Sequence, residues 1–101
     1  MEQNATTQTN NTVRKIKKIR MTCHACPSQW DGELVDGGYL YVRFRWGTLR
    51  VDIDGNTVFE WESGDSFDGY MSLETVQSLT SHLLDFTGAE ILGEDESYWA
   101  V

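Results

Sequence analysis

Basic residues, proline, cysteine and long apolar runs are all scarce in this chain. No apolar run approaches the roughly 20 residues of a membrane-spanning helix, so a soluble protein is expected. Met1 to Thr12 is polar and has no apolar stretch of the kind a secretory signal carries. The only two cysteines, Cys23 and Cys26, form one C-x-x-C, and one pair does not make the disulfide framework of a small secreted domain. The cytoplasm is therefore the expected compartment. Catalytic signatures are missing too. There is no P-loop, no H-E-x-x-H and no G-x-G-x-x-G, and neither histidine stands near a G-x-S-x-G nucleophile. A domain of 101 residues with one expected helix also leaves little room for a cleft. We expect a protein that is not an enzyme.

The charge is unevenly placed. Eight basic residues face sixteen acidic ones, for a net charge of -8. Five of the basic residues, Arg14, Lys15, Lys17, Lys18 and Arg20, lie in one short run. From Thr22 onward three arginines, Arg43, Arg45 and Arg50, stand against fifteen acidic residues, a balance of -12. Such a body does not bind phosphate backbones by charge and instead attracts basic surfaces, although acidity also serves simple solubility. The expected partner is a protein with a basic surface, with neither nucleic acid nor membrane bound directly. Monomer and dimer stay open.

Four stretches follow along the chain. Residues 1–12, rich in Asn, Gln and Thr, should be disordered. Residues 13–27 hold a basic arm and the C-x-x-C segment. In the arm Val13, Ile16 and Ile19 are spaced three apart, which weakly suits a helical turn. Residues 28–92 read as an α+β core domain, and residues 93–101 as an acidic tail ending in aromatics.

The core domain is organised around Trp30 to Trp61, which reads as four strands joined by three turns. Asp36-Gly37-Gly38 and Asp54-Gly55-Asn56 suit three-residue hairpin loops, and Gly47-Thr48 suits a two-residue loop with Gly first. These loops place Leu34 opposite Leu40, Trp30 opposite Phe44, Trp46 opposite Leu49, Phe44 opposite Val51, Val51 opposite Phe59 and Leu49 opposite Trp61, all on one face. On the other face they set one row of Asp31, Arg43, Asp52 and Val58 and a second of Gln29, Arg45, Arg50 and Glu60. Arg45 and Arg50 would then be like-charged neighbours, which costs energy unless Glu60 compensates.

After the loop from Ser63 to Gly69, Ser72 reads as an N-cap with Glu74 in the first helical turn. Leu73, Val76, Leu79, Leu83 and Phe86 recur at helical spacing up to Gly88. The expected fold is thus a four-stranded antiparallel β-meander with one C-terminal amphipathic helix packed on its apolar face. Ala89 to Leu92 would add a short edge strand.

Three features bear on function. Cys23 and Cys26 at this spacing can hold one metal ion, and zinc is the metal such a pair suits, with His24 as a further ligand that would have to curl back onto the same ion. A thioredoxin-like dithiol also needs a C-x-x-C, but the only proline, Pro27, directly follows Cys26, and the downstream pattern is antiparallel. Two reduced thiols packed as small apolar side chains are the plainest reading. The second feature is a sheet face of Tyr39, Tyr41, Arg43, Arg45 and Arg50, residue types enriched at the centres of interfaces and able to hold a carboxylate or phosphate. The third is the acidic set Glu60, Glu62, Asp65 and Asp68 after the fourth strand. Carboxylates on a rigid domain imitate a phosphate backbone and occupy a basic nucleic-acid-binding surface, though a solvated face is the plainer reading.

The run Cys23-His24-Ala25-Cys26-Pro27-Ser28-Gln29-Trp30-Asp31-Gly32, followed by Arg43-Phe44-Arg45-Trp46-Gly47, resembles a pattern in short uncharacterised bacterial and phage proteins. They carry C-x-x-C-P-x-Q-W-x-G and then an R-x-R-W-G hairpin. The resemblance covers about the middle third of the chain and implies a mobile-element origin rather than an activity. By analogy of size and charge it suggests a small phage-type inhibitor that acts by binding. Two functions are therefore carried forward. One is an acidic binding protein that engages a basic surface; the other is a zinc-binding C-x-x-C module, in which a dimer supplies two such pairs.

Overall fold

The computed structural model describes residues 13–25, 27–65 and 69–93. The expected disorder of residues 1–12, the tail beyond Gly93, Cys26 and Asp68 lie outside the described residues.

Seven strands and one short helix make up these residues. In chain order they are β1 (Arg14–Cys23), β2 (Ser28–Leu34), β3 (Tyr39–Arg45), β4 (Thr48–Ile53), β5 (Asn56–Glu62), α1 (Leu73–Leu79), β6 (Leu84–Asp85) and β7 (Glu90–Leu92). The strands form one mixed sheet in the order β5-β4-β3-β2-β1-β6, with β7 also paired to β1. Neighbours from β1 to β5 are antiparallel, and β6 and β7 run parallel to β1. The expected four-stranded meander under an amphipathic helix is therefore not the architecture. The sheet is larger and mixed, and its helix covers seven residues.

Two local causes account for the difference. The first lies in β1, whose ladder with β2 slips between Ile16 and Lys18 and again between Met21 and Cys23. Each slip is a β-bulge, in which one extra residue keeps the strand paired while shifting its alternation. Ile16, Ile19 and Met21 are buried, so the spacing of three that suggested a helical turn is a strand with Lys17 bulged out. The basic arm is a sheet strand.

The second cause lies after α1. Ser72 caps the helix, its hydroxyl accepting from Thr75 N at 3.2 Å. At the other end the Thr80 hydroxyl donates to Val76 O at 2.7 Å, and both Leu83 N and Leu84 N bond to Thr80 O, at 2.8 and 2.9 Å. The chain turns there instead of continuing the helix to Phe86. Arg14 N then donates to Leu83 O at 2.8 Å, and β6 and β7 pair along the outer edge of β1. A central strand with an open edge would leave unpaired backbone groups, and residues after Thr80 supply the partners.

The core fills the space between one sheet face and the segment carrying α1. It holds Ile16, Ile19, Trp30, Leu34, Leu40, Val42, Phe44, Leu49 and Val51 from the sheet, joined by Met71, Leu73, Val76 and Leu84. Fully burying each large side chain contributes about 1.5–3 kcal/mol. The opposite face of the sheet is polar, as antiparallel sheets allow. No helix among the described residues is long and apolar enough to cross a membrane.

Candidate functional site

The polar face takes its arrangement from the hairpin registers, and these differ from the expected ones in an orderly way. In the β2–β3 hairpin, Leu34 N bonds Gly38 O at 2.8 Å and Gly37 N bonds Leu34 O at 2.9 Å. The loop is therefore Val35-Asp36-Gly37, with Gly37 at φ 99° in the third place, where positive φ is required. The β3–β4 turn is Trp46-Gly47, at φ 55° and 75°, a two-residue turn with both residues in the left-handed region. Each loop sits one residue earlier than expected, so each pairing moves by two. Side-chain parity survives such a move, and the residues keep their faces while changing neighbours. Trp30 faces Val42 and Phe44 faces Leu49, instead of Phe44 and Val51.

The β4–β5 turn behaves differently. Asp54-Gly55, at φ 53° and 84°, makes a two-residue turn that would reverse the parity of β5. A bulge in β5 beside Val51 and Asp52 restores it, so Val51 stands opposite Phe59 and Leu49 opposite Trp61.

The polar rows that result are Arg20, Asp31, Tyr41, Asp52 and Thr57, then Gln29, Arg43, Arg50 and Glu60, then Arg45, Thr48 and Glu62. The like-charged neighbours are thus Arg43 and Arg50, and Arg45 lies beside Thr48. Glu60 is next to Arg50 in its row, but the carboxylate that Arg50 approaches is Asp52, with Nε 3.4 Å from Oδ1 and no hydrogen-bond geometry. Among the described residues Arg43 and Arg45 make no ion pair. The Arg45 guanidinium lies 5.2 Å from the centre of the Trp46 ring, within cation–π range.

Both tyrosines are tied down within this face. Tyr39 donates to Asp31 Oδ1 at 3.1 Å, and Tyr41 donates to Gln29 Oε1 at 2.9 Å. Burial, and then the neighbouring Asp31, push the Tyr39 hydroxyl above its ordinary pKa.

Trp46 is the residue that sequence reasoning missed. It was expected on the apolar face, yet it is 62% exposed at a hairpin tip. A large side chain at positive φ is unusual, which is why Gly47 was expected to lead the turn. The signal for the alternative was Gly47 itself, since a two-residue turn with both φ values positive favours Gly in second place. Gly47 also packs under the following loop, where a Cβ would run into the Asp65 carbonyl, and its own carbonyl accepts from Ser63 N at 2.8 Å.

Three acidic residues lie on one margin. β5 is the outermost strand, and its other side pairs with no strand among the described residues. Glu60 and Glu62 are exposed on it, and Asp65 is exposed just beyond. Neither glutamate forms an ion pair with a described residue. Three of the five basic residues of β1 differ, because their charges are matched within the fold. Arg14 pairs with Asp36 at 2.8 Å, Lys15 with Asp85 at 3.7 Å and Lys18 with Glu33 at 3.9 Å.

The cysteine segment sits at the far end of β1. Cys23 is half-buried, and its thiol donates to Ala25 O at 3.6 Å. The His24 ring packs against Tyr70 with centres 5.2 Å apart. His82, the other histidine, contacts Phe59 at 5.1 Å, away from this segment. Buried Ser28 joins the segment to the body, donating to His24 O and accepting from Met71 N at 3.0 Å. Among the described residues no three His, Cys, Asp or Glu side chains are grouped to hold a metal ion.

Compared with protein-family models, with curated proteins and with solved structures, the chain matches none.

Proposed function

We propose that this protein is a non-enzymatic binding module that engages a basic protein surface through its β5 margin. The observation that carries this reading is the position of Glu60 and Glu62, exposed on a strand that is outermost among the described residues and without ion pairs to any of them. An edge strand presents outward backbone N–H and C=O groups as well as side chains. Together they fit an extended basic segment, which gains main-chain hydrogen bonds and charge pairing at once. Two copies of β5 side by side would place glutamates against glutamates, so the same charges work against self-pairing. Three of the five β1 cations are matched to Asp36, Asp85 and Glu33, which supports the reading, because these pairs leave the β5 glutamates without a cation from β1. Tyr39, Tyr41 and the arginines of the polar face make a second contact. A phage-type inhibitor that occupies a nucleic-acid-binding surface is the role this charge distribution suits.

The test is affinity capture from the cells that produce the protein, quantified by mass spectrometry at low and high salt. A Glu60→Lys, Glu62→Lys variant runs in parallel. Basic proteins should be enriched by the native chain at low salt and lost from the variant. Charge-steered contacts weaken as salt screens them, so enrichment indifferent to both salt and charge reversal would remove the reading.

A further inference from the structure

Three guanidinium groups border one pocket on the polar face. The pocket has a volume of about 210 Å³ and is lined by Arg43, Arg45, Trp46, Thr48, Arg50 and Glu60. Arg43 and Arg50 face each other directly across β3 and β4, and like charges so placed are destabilising. A fold would relieve this with a carboxylate between them. Glu60 lines the pocket, but it makes no ion pair with either arginine. It lies on β5, two strands from Arg43, or about 10 Å at the usual strand spacing of about 4.8 Å. Asp52 reaches Arg50 alone, at 3.4 Å.

We propose that this pocket binds an oxyanion, the phosphate or carboxylate group of a ligand, between Arg43 and Arg50 with Arg45 as the third cation. Guanidinium groups present paired donors that match either group. Arg45 is placed at the pocket by its position over the Trp46 ring, and Trp46 forms an exposed aromatic wall on the same side. The net charge of -8 does not prevent this. At physiological salt a charge is largely screened beyond about 8 Å, so an anion in the pocket is governed by the groups that line it, three guanidiniums against the one carboxylate of Glu60. The pocket shares Glu60 with the β5 margin, but the oxyanion is held by the arginines and the basic segment by the glutamates, so Arg43→Gln tests the first proposal and Glu60→Lys, Glu62→Lys the second.

The experiment is an NMR titration of isotope-labelled protein with inorganic phosphate and, separately, with acetate, at ionic strength held constant with sodium chloride. The Arg43, Arg45 and Arg50 Nε–H signals and the Trp46 indole N–H signal are followed. We expect saturable shifts confined to these groups. Arg43→Gln and Arg50→Gln should each weaken the midpoint at least tenfold, and Lys17→Gln, on the exposed bulge of β1, should leave it unchanged. Phosphate tighter than acetate assigns a phosphoryl ligand, and the reverse order assigns a carboxylate. Shifts that stay linear with concentration, or a midpoint unchanged in a folded Arg43→Gln variant, would overturn the site.

Discussion

Arg14 grips Asp36 with two hydrogen bonds, Nε to Oδ2 at 2.8 Å and Nη2 to Oδ1 at 3.1 Å. The pair ties the start of β1 to the β2–β3 loop across 22 residues of sequence. Asp36 Oδ1 also accepts from Gly38 N at 3.1 Å, so one carboxylate orders both the loop and its neighbour strand. The hydrogen bonds from Arg14 and then Gly38 hold the Asp36 pKa below its ordinary value. Arg14 is raised in turn, first by its hydrogen bond to Asp36.

A pH dependence follows from the Asp36 shift. A carboxylate with a lowered folded pKa adds stability above its unfolded value, about 3.9 for Asp, and loses it as pH falls through the folded value. Asp36→Asn should therefore be less stable than the native chain at neutral pH. The difference should shrink below about pH 3.9 as the native carboxylate takes up a proton. Denaturant melts of both proteins between neutral and strongly acid pH measure this, and a difference that stays constant across the range would contradict it.

Gly32 allows β1 and β2 to approach where β1 bulges. A Cβ at this position would lie 2.7 Å from the Lys18 carbonyl oxygen, a backbone atom fixed by the ladder. Gly32→Ala should cost about 1–3 kcal/mol, the usual penalty of overpacking. Equilibrium urea unfolding would show it as a lower midpoint with an unchanged slope.

Removing one member of the Arg43–Arg50 pair should help the unliganded fold. Arg43→Gln is expected to gain about 0.2–1 kcal/mol, the scale of a cross-strand charge effect. Arg50→Gln should gain less, because it also gives up the approach to Asp52. Thermal melts in chloride buffer, without phosphate or carboxylate buffers, decide the sign.

Ser28→Ala should loosen the cysteine segment. It leaves the buried Met71 N–H without the acceptor it now has at 3.0 Å, at a cost of about 1–3 kcal/mol for an unsatisfied buried donor. Hydrogen exchange at Met71 should accelerate beyond what the global loss of stability explains.

What the sequence by itself determined is the assignment of sides. Within β2, β3 and β4 burial alternates residue by residue, because strand side chains point to opposite faces in turn. Trp30, Leu40, Phe44, Leu49 and Val51 share a face in every register that keeps this parity, and Tyr41, Arg43, Arg45 and Arg50 then share the other. The acidity of the β5 margin was legible on the same grounds.

Which arginines meet was decided only by tertiary structure. A register that moves by two leaves parity intact, so no hydrophobic pattern distinguishes Arg45 from Arg43 as the neighbour of Arg50, and the turn at Trp46-Gly47 made that choice. Bulges hid the rest. The extra residue at Lys17 gave a strand the spacing of a helical turn, and the bulge in β5 corrected a turn whose length alone predicts the wrong face. The short edge strand expected over Ala89 to Leu92 is present as Glu90–Leu92, whereas Leu84–Asp85 is too short to carry any periodicity. They formed because the outer edge of β1 needed hydrogen-bond partners, a demand that arises only once the sheet is assembled.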